Sequence, residues 1–275
     1  MSGTGAESRC NVRECWLIDP MKASERREIC LWLEQTNPSS LHNVAVRKHE
    51  LHTSAWLKRS SEWETWLSSP SPDRLLWIYG IPGAGKTVLA SFAIEELKQL
   101  CDSTAGYVCA YYYCHYSHQQ DEATPFLGWA ISQVCRQTER VPLQMKRLRD
   151  RGCELTIQEL EHILELALER IQKLYLVIDA VDESMPRDEL VRLLAAMALD
   201  SRFRKIRILA TSRQYLDIDR VFSAVSTAVS MANPYVDADI ERFVRARLQS
   251  SYRLRRWQQY LPEIEQVLVS KAKGM

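Results

Sequence analysis

The sequence is poor in glycine, with nine residues in 275, and it has no internal repeat and no low-complexity tract. No uninterrupted apolar run approaches the roughly 20 residues that a membrane helix needs. The first fifteen residues, MSGTGAESRCNVREC, contain no apolar stretch of the signal-peptide kind. These absences lead us to expect a cytoplasmic chain with no membrane partner. Excess charge is also missing: 36 Lys and Arg against 35 Asp and Glu leave a net charge of +1, so the global balance offers no reason to expect a nucleic-acid partner. The basic runs KRLRDR (146–151) and RLRR (253–256) read as solvated helix faces, because acidic segments flank both. The eight cysteines, at 10, 15, 30, 101, 109, 114, 135 and 153, form no C-x-x-C pair. Several lie inside apolar runs, so they read as reduced, buried thiols rather than a disulfide framework. One cluster, CHYSH with Cys114, His115 and His118, has metal-ligand residue types but lacks a second ligand pair at zinc spacing.

What is present is a core-forming composition, 46% apolar and 26% charged, long enough for one large domain or two small ones. Residues 1–27 read as a loose tail and 28–73 as a helical lead-in and linker. Within the lead-in, SERREICLWLEQ (24–35) predicts a short helix with Ser24 at its N-cap. In SAWLKRSSEWETWL (54–67), a capping serine precedes a helical face of Trp63, Trp66 and Leu67. The breaker-rich SSPSPD (68–73) follows. From residue 74 the pattern alternates. RLLWIY (74–79), GYVCAYYYCHY (106–116), LYLVID (174–179), IRILATSR (206–213) and STAVSM (226–231) read as strands. Between and after them come helical patterns at 87–100, 124–138, 156–172, 186–199 and 216–222, then 237–248 and 261–272. The helix at 156 opens on a Thr156-to-Glu159 capping box, and the one at 186 on a proline in its first turn. Short apolar strands alternating with amphipathic helices predict an α/β fold. Its parallel sheet would be covered on both faces, with ligands at the carboxyl ends of the strands. Residues 74–232 would form this core, and 233–275 would be C-terminal helices that begin a truncated helical region.

Three of the few glycines, Gly80, Gly83 and Gly85, fall within GIPGAGKT (80–87), between a strand and a helix. The octet fits G-x-x-x-x-G-K-[ST]. At ordinary glycine usage, its four fixed positions coincide by accident in roughly 1% of chains this long. The physics is specific: a glycine-rich curl turns backbone N–H groups inward, and the following helix adds its N-terminus, so the loop cradles a polyanion. Gly80, Ile81, Pro82, Gly83, Ala84, Gly85, Lys86, Thr87 and Val88 are therefore the expected nucleotide contacts. Lys86 would reach the β- and γ-phosphates, and Thr87 would ligate Mg²⁺. The strand 174–179 ends in Asp179, the place for a second Mg²⁺ acid. Asp182 and Glu183 follow, and either could orient or deprotonate a water, or simply begin the next helix where acids suit the dipole. Arg213, after ILATS, could sense a γ-phosphate or be a surface arginine after a strand. No Asn-Lys-x-Asp guanine motif is present, which favours ATP or ADP as the nucleotide.

These motifs in this order resemble the NACHT family of P-loop ATPases, within the signal-transducing STAND class. LVIDAVDE matches the family's second motif of four hydrophobics, Asp, a small residue, a hydrophobic and Asp-Glu. ILATSR followed by YLDI, and NPYVDADIERFVRARL, match later stretches. HELHTSAWLKRSSEWETWLSSPSPDRLLWIYG is similar to the lead-in of fungal, nephrocystin-like NACHT proteins, with Ser54 where the pattern has glycine and Trp63 where it has phenylalanine. The resemblance covers about residues 28–275. It implies a three-layer fold with a central five-stranded parallel sheet in the order 5-1-4-3-2. It also implies an ATP/ADP switch with slow Mg²⁺-dependent hydrolysis, self-association through the NACHT core, and in fungi a part in non-self recognition or regulated cell death. The family continues into a winged helix and then ankyrin, WD or other repeats; this sequence matches only the central module and stops at SKAKGM. Two other readings stay beside the switch: an interaction scaffold that binds nucleotide structurally without turnover, and a small-molecule kinase. DAVDE with a downstream TSR, and the lack of an Arg-rich lid, disfavour the kinase.

Overall fold

The computed structural model describes residues 22–68, 72–152, 154–250, 254, 257 and 259–272. The expected tail up to residue 21, Cys153, linker residues 69–71, and Arg253, Arg255 and Arg256 of the second basic run lie outside the described residues.

The chain opens with α1 (Ala23–Leu33), α2 (Ser39–Lys48), a 3₁₀ turn at Leu57–Arg59 and α3 (Ser61–Leu67). The alternating core follows: β1 (Leu75–Tyr79), α4 (Lys86–Ser103), β2 (Tyr107–Tyr113), α5 (Ala123–Thr138), α6 (Leu143–Asp150), α7 (Ile157–Leu168), β3 (Lys173–Asp179), α8 (Asp188–Leu199), β4 (Ile206–Ser212), α9 (Leu216–Phe222) and β5 (Ser226–Ser230). Then come α10 (Pro234–Ser250) and α11 (Leu261–Ala272). The five strands form one parallel sheet in the order β2-β3-β4-β1-β5. This is the expected order read from the opposite edge.

Side chains alternate across the pleat, so each buried strand serves two cores. Leu75 and Trp77 of β1, Leu174, Leu176 and Ile178 of β3, and Ile208 and Ala210 of β4 pack on one face with Ile29, Phe126, Ile163 and Leu194. On the other face Leu76, Ile78, Tyr175, Val177 and Leu209 pack with Trp66, Ala90 and Ile94. The period therefore puts Asp179 and Thr211 on the second face, the one covered by α4, and at the carboxyl ends of neighbouring strands.

Several local expectations hold. The Ser60 hydroxyl accepts from the Trp63 amide at the start of α3, and Trp63 and Trp66 are buried. The Thr156–Glu159 capping box is formed in full. Other details differ. Ser24 lies inside α1, which begins at Ala23 with Lys22 before it and no side-chain cap. Pro186 precedes α8 rather than opening it: Arg187 has φ −121° and ψ −2°, which is not helical, so the helix starts at Asp188. Helix α2 was not anticipated, and of α6 only the basic run KRLRDR was read as a helix face. In α2 the buried positions include polar His42, which breaks the apolar period. In α6 only Met145 and Leu148 are buried. The run KRLRDR does lie on this helix and reaches back to α1, with Lys146 paired to Glu25 at 2.6 Å and Arg149 to Glu28 at 3.8 Å.

Candidate functional site

The loop between β1 and α4 leaves the sheet at Tyr79 and closes on Lys86. Gly83 and Gly85 have φ of +82° and +85°, in the left-handed region that favours glycine, and Gly85 is the residue before α4. Gly80 is needed for a different reason: a Cβ there would lie 2.7 Å from the Met231 Cβ. The loop exposes Ile81, Pro82, Gly83, Gly85 and Thr87, half-buries Val88, and tucks Ala84 beneath. The Lys86 ammonium folds over it, donating to Gly80 O at 2.8 Å and Ile81 O at 3.0 Å. Burial lowers the Lys86 pKa, while the nearby charges of Asp182, Asp179 and Glu183 oppose that shift. All three acids thus lie within electrostatic reach of Lys86.

Asp179 is 2% exposed. It accepts from the hydroxyl of Thr211, and the Thr87 hydroxyl lies close enough to favour its charged form. Burial pushes its carboxyl up to about 6 against the pull of the two threonine hydroxyls. Thr87 and Asp179 therefore lie close together. Thr211 was not singled out from the sequence, although its place in ILATSR and the two-residue period could have found it. Its Oγ1 also accepts from the Ala180 amide at 3.0 Å. Ala180 has φ +58°, which bends the chain sharply after Asp179 and carries Asp182 and Glu183 along the sheet edge.

The two acids have different surroundings. Asp182 is buried, and both of its carboxylate oxygens face Arg213: Oδ1 accepts from the Arg213 amide at 2.9 Å and Oδ2 pairs with Nε at 3.2 Å. Arg213 also donates from Nη1 to the Tyr215 hydroxyl at 3.2 Å. Glu183 is half-buried and accepts from the Tyr116 amide at 3.4 Å. The CHYSH residues are otherwise engaged: Cys114 is buried in the core, His115 contacts the Ser117 hydroxyl at 2.6 Å, and His118 pairs with the buried carboxylate of Glu122. Among the described residues no group of three or more His, Cys, Asp and Glu is placed to hold a metal on its own.

Beside the loop opens a cleft of about 600 Å³, floored by Gly83, Ala84 and Val88 and walled by Trp56, Val236, Ile240 and Phe243. The lead-in and α10 form its two sides. They are tied by the Ser54 amide donating to the Asp239 carboxylate at 2.5 Å and by stacking of Trp56 on Tyr235 at 6.3 Å. Sequence reasoning missed this cleft, since its walls come from segments almost two hundred residues apart.

A sequence profile of the family described as Nephrocystin 3, N-terminal matches residues 52–213, which is more than half of the chain and takes in the last part of the lead-in, the loop, Asp179 and Arg213. The chain belongs to this family. The chain is also 24% identical over 205 residues, 71% of its length, to the vegetative incompatibility protein HET-E-1 of Podospora anserina. It spans 15% of that relative's length. The NACHT resemblance read from the motifs stands on these two findings, and the chain is a P-loop nucleotide-binding module. Among solved structures it is similar to the Aeropyrum pernix ORC2 protein in ADPNP–ADP complexes, with TM-score 0.46, 17% identity, and coverage of 74% of this chain and 55% of that one. It is also similar to Cdc6p of Pyrobaculum aerophilum, with TM-score 0.43, 18% identity, and coverage of 78% and 54%. No helix among the described residues is long and apolar enough to cross a membrane.

Proposed function

We propose that this chain is an ATP/ADP-binding switch module with slow Mg²⁺-dependent hydrolysis, its core spanning about residues 74–232. The observation that carries the reading is the Gly80–Thr87 loop with Lys86 folded over it and the buried Asp179 close to Thr87, with an apolar cleft beside that loop. A polyphosphate on the loop would meet inward N–H groups, the N-terminus of α4 and Lys86. Lys86 would exchange its two carbonyl acceptors for phosphate oxygens, a stronger, charge-assisted pair. Thr87 and Asp179 would hold Mg²⁺, which would neutralise the phosphate charge when bound. The purine would enter the cleft between Trp56 and α10.

The unequal surroundings of the acids suggest unequal roles. Asp182 holds Arg213 at the sheet edge, and Glu183, the more open carboxylate, orients water. Arg213 lines a second hollow with Gly80, Ile81 and Tyr215, on the side where a γ-phosphate would project. Self-association on nucleotide exchange, a place in a longer repeat-bearing signalling protein, and a part in fungal non-self recognition follow from the family resemblance and belong to this proposal.

The test is calorimetry with Mg-ATP and Mg-ADP, followed by phosphate release. Lys86→Ala is expected to weaken binding by about 10- to 100-fold. Glu183→Gln is expected to keep binding and lose turnover. Equal binding by wild type and Lys86→Ala would overturn the reading. Binding without phosphate release in the wild type would leave a scaffold that holds nucleotide structurally.

A further inference from the structure

At the edge of the sheet opposite the phosphate loop, the amino ends of β3, β4 and β1 carry five cations: Lys173, Arg204, Lys205, Arg207 and Arg74. They line a hollow of about 450 Å³, with Gln172 and Pro72 completing its wall. In a chain of net charge +1 this is a local concentration of like charge. Three of the five side chains are more than nine-tenths buried: Arg207 is 2% exposed, Lys173 7% and Arg74 9%.

Their hydrogen-bond acceptors are mostly backbone carbonyls. Arg207 donates to Trp66 O and Ser68 O, and Lys173 to Leu67 O, all at the end of α3. Lys205 donates to Leu168 O and Glu169 O at the end of α7. Arg74 donates from Nη2 to Asp200 O just past α8. Helix carboxyl ends attract cations, which accounts for part of this arrangement. Lys173 also lies over the Tyr107 and Tyr175 rings. Helix capping does not account for all of it. The Arg74 Nη1 is buried without an acceptor, which costs free energy in a native structure. Two acids act on the group at longer range, Asp200 on Arg74 and Glu169 on Lys205, and the Asp200 carboxylate is itself engaged by Arg202. Burial lowers the pKa of Arg74, Lys173, Lys205 and Arg207, and the Arg207 charge adds to the effect at Arg74 and Lys173.

We propose that this hollow binds a small anion carrying several phosphate groups. Its volume is in the range of small-ligand pockets. Guanidinium forks and ammonium groups converging on one space match clustered phosphate oxygens, and such an anion would relieve the mutual repulsion. The site is distinct from the nucleotide loop, which sits at the other ends of the strands.

Inositol hexakisphosphate is the probe, titrated by calorimetry into the full chain. Wild type and Lys86→Ala are expected to bind it equally, with affinity falling as salt rises. Arg204→Gln/Lys205→Gln is expected to bind about tenfold more weakly, two partly screened charges being lost, while keeping its affinity for ATP. If that double variant does not fold, the exposed reversal Arg204→Glu reads the same loss. No binding by wild type, unchanged affinity in both variants, or loss of binding in Lys86→Ala would each overturn the proposal. Sedimentation with phosphatidylcholine vesicles, with and without phosphatidylinositol bisphosphate, distinguishes the sources. Pelleting that needs the bisphosphate and is lost in Arg204→Glu assigns a lipid headgroup, and probe binding without pelleting assigns a soluble ligand.

Discussion

Asp179 and Thr211 show how one hydroxyl supports a charge in the core. The carboxylate is buried against α4, and Thr211 both donates to it and accepts from the bent backbone at Ala180. Thr211→Val would leave the Ala180 amide without its acceptor and Asp179 with one donor fewer. We expect a loss of about 1–3 kcal/mol. Thr211→Ser should recover most of it. Urea unfolding of the two variants checks this, and equal midpoints for Val and Ser would refute the role. His42 offers a second test at this scale. It is buried in α2 between the Tyr113 hydroxyl at 3.0 Å and the Glu95 carboxylate at 2.9 Å, and burial lowers its pKa below the ordinary 6.5. The unfolded chain therefore takes up this proton before the folded one does as pH falls. Stability from His42 is present above the unfolded value and is lost as pH drops from 6.5 through the lowered folded value. Glu95 titrates lower still, outside that window. Wild type should lose stability between pH ~7 and ~5 more steeply than His42→Gln, and parallel profiles would refute the assignment.

Helix α7 is an element whose start is written locally. The Thr156 hydroxyl accepts from the Glu159 amide, and the Glu159 carboxylate accepts from the Thr156 amide. Thr156 is exposed and Glu159 half-buried, so Thr156→Ala should cost about 1 kcal/mol and no more. A thermal melt checks it; a change several times larger would mean that the cap also holds tertiary structure. The five strands, the capping box and the Gly80–Thr87 loop were legible in the sequence because each rests on short-range rules: apolar runs, a reciprocal hydrogen bond, and glycines where φ is positive. Helix α2 and the buried face of α6 were not legible. Their buried faces are made of His42 and Ala45, or Met145 and Leu148, and only the neighbours they meet make those positions interior.

Across the whole molecule, the lead-in and the C-terminal helices meet over the nucleotide loop. Ser54 in the lead-in, with φ +65°, donates to Asp239 on α10, and Trp56 stacks on Tyr235. A purine in this cleft would touch both sides. Amide exchange at residues 48–56 and along α10 should therefore slow when Mg-ADP is added, with α6 as an unchanged reference. Protection confined to residues 80–87 would place the base outside the cleft.

The order of motifs along the chain was enough to specify a parallel α/β core, the phosphate loop and the acids after the third strand. Strand period, glycine placement and helix caps act over a few residues and need no partner to be read. The different surroundings of Asp182 and Glu183, the support from Thr211, the cleft under α10 and the cation-lined hollow were decided by packing. Each joins side chains from distant parts of the chain, brought together when both faces of the sheet are buried.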